Sequence, residues 1–124
     1  MNKRDPMLTA LMFNECINAR DHEGLIALMS DDHAFIDRDD DRHEGKDRMS
    51  RGWREFFDEF PDYRNTFVRV QTCGNLVVVL GYAEWEAGGE PDHVLWTATI
   101  RNDLVAEWRV LIDTQANREL LGLT

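Results

Sequence analysis

Residues 93–112 read HVLWTATIRNDLVAEWRVLI, and this stretch decides the fold. Apolar and polar side chains alternate in residues 93–101 and again in residues 104–112, which is the pattern of strands with one buried face. The two residues between these segments, Asn102 and Asp103, are typical of a tight turn. The stretch therefore predicts a β-hairpin.

The alternation also predicts two different faces for this hairpin. One face should pack on the core and line any cavity, and the other should be free for solvent or a second subunit. The apolar face comprises Trp96, Ala98, Ile100, Ala106, Trp108, Val110 and Ile112, whereas the mixed face comprises Thr97, Thr99, Arg101, Glu107, Arg109 and Leu111.

Two further strands precede the hairpin. Strand-like patterns cover residues 63–73 and 76–86, and Gly74-Asn75 between them suits another tight turn. A longer connection at residues 87–91 leads on to the last two strands. Consecutive hairpins predict an antiparallel meander.

The first half of the chain has helical periodicity. An amphipathic helix is predicted from Pro6 to about Arg20, and Asp21 can cap a second, shorter helix that ends near Ser30. The predicted apolar face of the first helix comprises Leu8, Leu11, Met12, Cys16 and Ala19. A short strand at residues 34–36 and a charged loop at residues 37–44 follow.

A third helix begins at Gly45 and ends before Pro61. Its apolar stripe comprises Met49, Trp53, Phe56, Phe57 and Phe60. A final helical segment at residues 114–121 is expected to close the sheet edge or a pocket mouth.

This order of elements predicts one α+β domain over residues 1–124, with a curved, cone-shaped antiparallel sheet wrapped around the helices. The formal net charge of −10 argues against nucleic-acid and anionic membrane partners. We expect a cytoplasmic protein, because no signal-peptide core or membrane-spanning run occurs in the sequence.

Several segments resemble the SnoaL-like branch of the nuclear transport factor two-like superfamily. They are residues 31–37 (DDHAFID), 45–48 (GKDR), 53–57 (WREFF) and 106–110 (AEWRV), within the same order of elements. The resemblance implies a cystatin-like roll with a deep apolar pocket, dimerisation through the outer sheet face, and cofactor-free chemistry that uses carboxylates. Members include isomerases, cyclases, dehydratases, epoxide hydrolases and non-catalytic binding domains.

The resemblance implies a general base at Asp37, which follows the strand at residues 34–36. In an apolar pocket its pKa should rise by desolvation. Alternatively, Asp37 only starts the charged loop. Two acids of the enzymatic patterns are missing, since Trp96 and Val110 occupy the positions where an isomerase-like or an epoxide-hydrolase-like member has them.

The remaining site predictions concern the pocket wall and its rim. The predicted lining residues are Trp53, Tyr82, Trp96, Trp108 and Val110, and the candidate rim residues are Tyr63, His93 and Asp113. The tryptophans can equally fill the cone as core residues. Ala83 and Trp85 are the alternative to Tyr82 as inward-facing residues, and Asp113 is otherwise the N-cap of the last helix.

No metal site is predicted, although His33 and His43 have acidic neighbours. An EF-hand over the charged loop fails because Arg42 and Arg48 stand where glycine and glutamate are required. We therefore predict a pocket that binds a small apolar or aromatic metabolite. The protein is then either an isomerase, cyclase, dehydratase or hydrolase with an Asp37 base, or a non-catalytic ligand-binding or dimerisation module.

Overall fold

The computed structural model describes residues 3–123. Within these residues the order of elements is α1 (Pro6–Ala19), α2 (His22–Ala27), β1 (Met29–Ile36), β2 (Arg42–Glu44), α3 (Lys46–Glu59), β3 (Arg64–Cys73), β4 (Leu76–Glu84), β5 (Asp92–Arg101), β6 (Leu104–Ile112) and α4 (Gln115–Leu120). The strands form one sheet in the order β2-β1-β6-β5-β4-β3. The predicted α+β class is confirmed.

The meander from β3 to β6 is antiparallel throughout, as the sequence predicts. In the β5–β6 turn, Asn102 and Asp103 have φ values of 54° and 63°. Both lie in the left-handed region that a two-residue hairpin turn requires. The decisive stretch therefore forms the predicted hairpin.

The sheet is mixed rather than wholly antiparallel, because β1 pairs with β6 in parallel. The chain leaves α2 after Ala27, so that Met29 and Ser30 belong to β1 instead of the second helix. Residues 42–44 form strand β2 within the predicted charged loop. Such a short and polar edge strand carries no apolar alternation by which it could be recognised.

The core lies between the concave face of the sheet and the helices. On α1 the buried apolar residues are Ala10, Phe13 and Ile17, whereas Leu8 and Leu11 are 48% and 38% exposed. The predicted face of this helix was thus wrong for Leu8, Leu11 and Ala19, whereas its other two members, Met12 and Cys16, are partly buried against the core. Apolar residues occur on most sides of α1, and only the position of the sheet selects among them.

A glycine permits close packing where the sheet bends. Strand β3 has an irregularity between Phe67 and Arg69, opposite Gly81 on β4. A Cβ atom on Gly81 would lie 2.1 Å from the carbonyl oxygen of Thr66 and 3.1 Å from the ring of Trp96. Glycine is therefore required here for the backbone to approach and for the indole to fit.

The convex face is partly covered by the C-terminal segment. Leu123 is buried there against Val78 and Leu95. The segment thus packs on the outer side of the sheet, rather than at the sheet edge or the pocket mouth, which were the two predicted places. The outer face is therefore not wholly free. In residues 3–123 no helix is long and apolar enough to cross a membrane.

Candidate functional site

The concave side of the sheet encloses a cavity of about 360 Å³, a volume within the range of small-molecule sites. It is lined by Phe35, Asp37, Arg38, His43, Met49, Gly52, Trp53, Phe56, Tyr63, Trp85, Trp96, Trp108 and Val110. All four tryptophans of the chain contribute to this wall. The cavity is therefore mainly aromatic, with a few ionisable groups.

Strands, helix α3 and connecting segments together supply this wall. The end of β1 and the following turn provide Phe35 and Asp37, and β2 provides His43. The apolar stripe of α3 faces the cavity because its aromatic residues recur at helical spacing. Alternate residues of β5 and β6 complete the opposite side, as the predicted inward positions of Trp96, Trp108 and Val110 require.

Trp85 belongs to an aromatic cluster at one end of the cavity. Its ring lies 5.8 Å from Phe56, 5.1 Å from Phe60 and 4.9 Å from Tyr63, in edge-to-face orientations. Such pairs contribute beyond the area that they bury. Trp85 was considered only as an alternative, and the structure places it at the cavity.

Asp37 lines the cavity and accepts several hydrogen bonds. Its Oδ1 accepts from the backbone N–H groups of Asp39 and Asp41, each at 3.0 Å. Its Oδ2 lies 3.0 Å from Nε2 of His43. The hydrogen bond with His43 is the main reason why the pKa of Asp37 lies below its usual value. The expected rise by desolvation was wrong, since these donors favour the ionised carboxylate.

His43 forms a pair with Asp37 that the sequence analysis missed. Nη2 of Arg48 lies 3.3 Å from Nδ1 of the imidazole. Because a guanidinium can only donate, Nδ1 accepts and the ring proton of a neutral His43 resides on Nε2, facing Asp37. A possible signal in sequence was the return of the chain within a few residues after Asp37, which places His43 opposite Phe35.

Tyr63, a candidate rim residue, lines the cavity wall and is largely buried. Burial raises the pKa of its phenol above the ordinary value. Desolvation disfavours the phenolate, so that the hydroxyl stays protonated and can donate a hydrogen bond.

Three other predicted residues lie elsewhere. Tyr82 and His93 are paired residues of β4 and β5, and their rings contact each other on the outer face at 6.1 Å. The alternation of β4 turns Ala83 inward instead. Asp113 binds Arg118 through both carboxylate oxygens, and the N-cap of α4 is Thr114. The N-cap interpretation of Asp113 was therefore wrong by one position.

The other histidine with acidic neighbours is part of the core. His33 is fully buried, and its Nδ1 lies 2.6 Å from the carbonyl oxygen of Val105 on β6. Burial lowers the pKa of this imidazole. In the part of the chain from residue 3 to residue 123, no cluster of three His, Cys, Asp or Glu side chains is arranged to hold a metal ion.

Comparison with models of protein families identifies the family of this chain. The model of the SnoaL-like domain matches residues 10–115. The chain belongs to the SnoaL-like domain family. A comparison with curated proteins finds no match.

Solved structures of similar fold agree with this assignment. An uncharacterised cystatin-fold protein from Novosphingobium aromaticivorans is 20% identical over 87% of this chain and 98% of its own, with a TM-score of 0.79. An NTF2-like protein of unknown function from Cytophaga hutchinsonii is 12% identical over 97% of both chains, with a TM-score of 0.75. TerC, co-crystallised with polyporic acid, is 18% identical over 94% of this chain and 98% of its own, with a TM-score of 0.74.

Proposed function

We propose that this SnoaL-like protein binds a planar aromatic or polycyclic small molecule in the concave cavity and transfers a proton on it without a cofactor. The observation that carries the proposal is that the carboxyl group of Asp37 and the phenol of Tyr63 line the same aromatic-walled cavity. The lowered pKa of Asp37 favours the carboxylate, and the raised pKa of Tyr63 favours the neutral phenol. Flat aromatic walls suit planar ligands, and a few polar groups then fix their orientation.

The proposed chemistry is proton abstraction next to a carbonyl group, as in an isomerase or a cyclase. The carboxylate of Asp37 takes the proton from carbon, and the electron pair moves to the carbonyl oxygen to give an enolate. The hydroxyl of Tyr63 donates a hydrogen bond to that oxygen. His43 donates to Asp37 and keeps the carboxylate oriented, and the proton then returns to a different atom of the ligand.

The fold relatives support the ligand class. TerC shares the fold and was co-crystallised with polyporic acid, a small-molecule acid by its name. The transfer of that ligand class to the present chain is part of the proposal.

A second function, ligand binding without catalysis, is favoured by two observations. The lowered pKa of Asp37 makes its carboxylate a weaker base than the expected desolvated acid. In addition, tryptophan and valine stand at residues 96 and 110, where enzymatic relatives are expected to have acids. A measurement of turnover distinguishes catalysis from ligand binding alone.

The test begins with a thermal-shift screen of planar ketones, hydroxyquinones and aromatic acids, because a ligand that binds only the folded state raises the melting temperature. Hits are then incubated in D₂O, and deuterium incorporation next to the carbonyl is followed by NMR. We expect Asp37→Asn to slow the incorporation at least ~100-fold, as loss of a general base does. Asp39→Asn, which changes a neighbouring exposed acid, is the matched control.

The results distinguish three cases. Exchange that depends on Asp37 supports the enzyme, and binding without exchange supports the second function. If no member of the screen binds, the proposed ligand class is wrong.

Homodimerisation through the outer sheet face and a cytoplasmic location stay predictions. Light scattering at micromolar concentration checks the first, and a monomer mass would contradict it. Fluorescence microscopy of the tagged protein in its own cells checks the second.

A further inference from the structure

The cavity wall contains one arginine, and its guanidinium is hydrogen-bonded to a single carboxylate. Arg38 lines the cavity next to Asp37, and its Nη2 donates to Oδ2 of Asp92 at 2.8 Å. The same Oδ2 accepts from Nε1 of Trp85 at 3.1 Å. Asp92 thus connects two cavity-lining residues, one from the turn after β1 and one from the connection before β5.

The guanidinium of Arg38 retains donors beyond this contact. Among residues 3–123, its bond to Asp92 is the one hydrogen bond that it makes. Arginine offers five N–H donors in a planar fork that matches carboxylates and related oxygens. The neighbouring Asp37 is already occupied by His43 and two backbone amides, and it makes no ion pair with Arg38.

We propose that the ligand of the cavity carries an anionic oxygen, as a carboxylate or an acidic enol does, and that Arg38 binds this oxygen. Asp92 acts as a positioning residue that holds the guanidinium at the wall. This inference rests on the proposed function, since it concerns the same cavity. It narrows the ligand class from planar aromatic molecules to planar aromatic acids.

The charges around the cavity limit how strongly an anionic ligand is preferred over a neutral one. The side chains of Arg38 and Asp92 are both partly exposed, so that solvent and salt weaken the contact. The net charge of −10 and the carboxylate of Asp37 oppose an anion, whereas Arg48 near His43 favours one. We therefore expect a preference of about tenfold rather than a strict requirement.

The test uses two probes of equal shape, 2-naphthoate and 2-naphthamide, which differ in charge. Their Kd values are measured by isothermal titration calorimetry at low ionic strength. The native protein should bind the acid about tenfold more tightly than the amide. Arg38→Gln should bring this ratio close to one while the amide still binds.

Two further variants separate recognition from bulk charge and from folding. Arg42→Gln removes a positive charge outside the cavity, on an arginine that pairs with Glu44 and Glu107, and it should leave the ratio unchanged. Asp92→Glu keeps the negative charge next to Arg38 but displaces the carboxylate, and it should reduce the ratio through the loss of positioning. A purely structural role of Asp92 would lower the melting temperature and leave the ratio intact.

Three outcomes would overturn the inference that Arg38 binds an anionic oxygen of the ligand. Equal binding of acid and amide by the native protein would overturn the inference and leave the proposed function standing. An equal loss of the ratio in the Arg38 and Arg42 variants would attribute the preference to bulk charge and overturn it as well. If neither probe binds, both the inference and the proposed aromatic ligand class fail.

Discussion

The concave and convex faces of the sheet are built from alternate residues of the same strands, yet they have opposite character. The concave face presents aromatic side chains to a cavity, with Asp37, Arg38 and His43 on one side. The convex face carries ion pairs, such as those of Arg42 with Glu107 and of Arg109 with Asp40, and a small apolar patch under Leu123. The difference in side-chain character is what a ligand cavity on the concave face, as proposed above, requires.

The largest loss of stability should come from adding a side-chain atom at Gly81, where strands β3 and β4 approach each other closely. Gly81→Ala places a Cβ atom against the Thr66 carbonyl and the Trp96 ring, so that the backbone must shift. We expect the free energy of unfolding to fall by about 3 kcal/mol. Urea denaturation followed by circular dichroism measures it.

Gly52→Ala on α3 is the matched control. Its nearest side-chain atom is Cε of Met49, 3.9 Å from the added Cβ, and alanine favours a helix. This variant should be unchanged or up to ~1 kcal/mol more stable. Equal losses in both variants would show that Gly81 has no special role in the bend.

The next largest loss of stability should come from changing the C-terminal segment that packs on the convex face. Leu123 is 1% exposed and Leu120 is 75% exposed in the same C-terminal segment. Leu123→Ala should reduce the free energy of unfolding by about 2 kcal/mol, whereas Leu120→Ala should change it by less than ~0.5 kcal/mol. The same denaturation experiment applies, and similar small losses in both variants would mean that the segment does not cover the sheet in solution.

A smaller loss of stability should appear on acidification, because His33 is buried in the folded protein. Its folded-state pKa is lowered by burial, with Asp32 and Glu107 acting in the opposite direction more weakly. A lowered histidine pKa means that the unfolded state binds the proton first, so stability is lost as the pH falls below about 6.5. The loss from this one group is at most ~1.4 kcal/mol per pH unit.

Urea denaturation between pH 7.5 and pH 5.5 tests this expectation. In a His33→Gln variant the slope due to this residue should disappear, although the protein itself is less stable. A native stability that is flat over this range would contradict the neutral, buried state of His33.

The smallest expected change is a shift in the pKa of Asp37, which pairs with His43 at the cavity. His43→Ala removes the hydrogen bond that contributes most to lowering the pKa of Asp37, so this pKa should rise toward its ordinary value. The Cγ chemical shift of Asp37 during a pH titration by NMR reports it. The pKa of Asp113, which Arg118 lowers, should stay constant in the same spectra. An unchanged Asp37 would mean that the pair is not formed in solution.

The sequence predicts those parts of the fold in which pattern and turn chemistry agree. The alternation of residues 93–112 and the tight turn at Asn102 and Asp103 suffice for the hairpin, and helical spacing suffices for the aromatic stripe of α3. The parallel pairing of β1 with β6 was missed because it joins segments far apart in the chain. Strand β2 was missed because a polar edge strand resembles a loop.

The candidate site was predictable to a similar degree. Trp96, Trp108 and Val110 follow from strand alternation, and Trp53 follows from helical spacing. Tyr82 could not be assigned to a face, because β4 is apolar on both sides and its alternation carries no preference. The Asp37–His43 pair and the Arg38–Asp92 contact depend on how loops return to the cavity, which local patterns do not specify.

The most direct test of a ligand cavity on the concave face is a tryptophan fluorescence titration, since all four tryptophans line that cavity. Planar aromatic compounds should quench the emission saturably with one site per chain. Gly52→Phe, which adds bulk at the cavity wall, should abolish the quenching while the fold is retained. Absence of saturable quenching by every compound, or equal quenching in the Gly52→Phe variant, would contradict the ligand cavity.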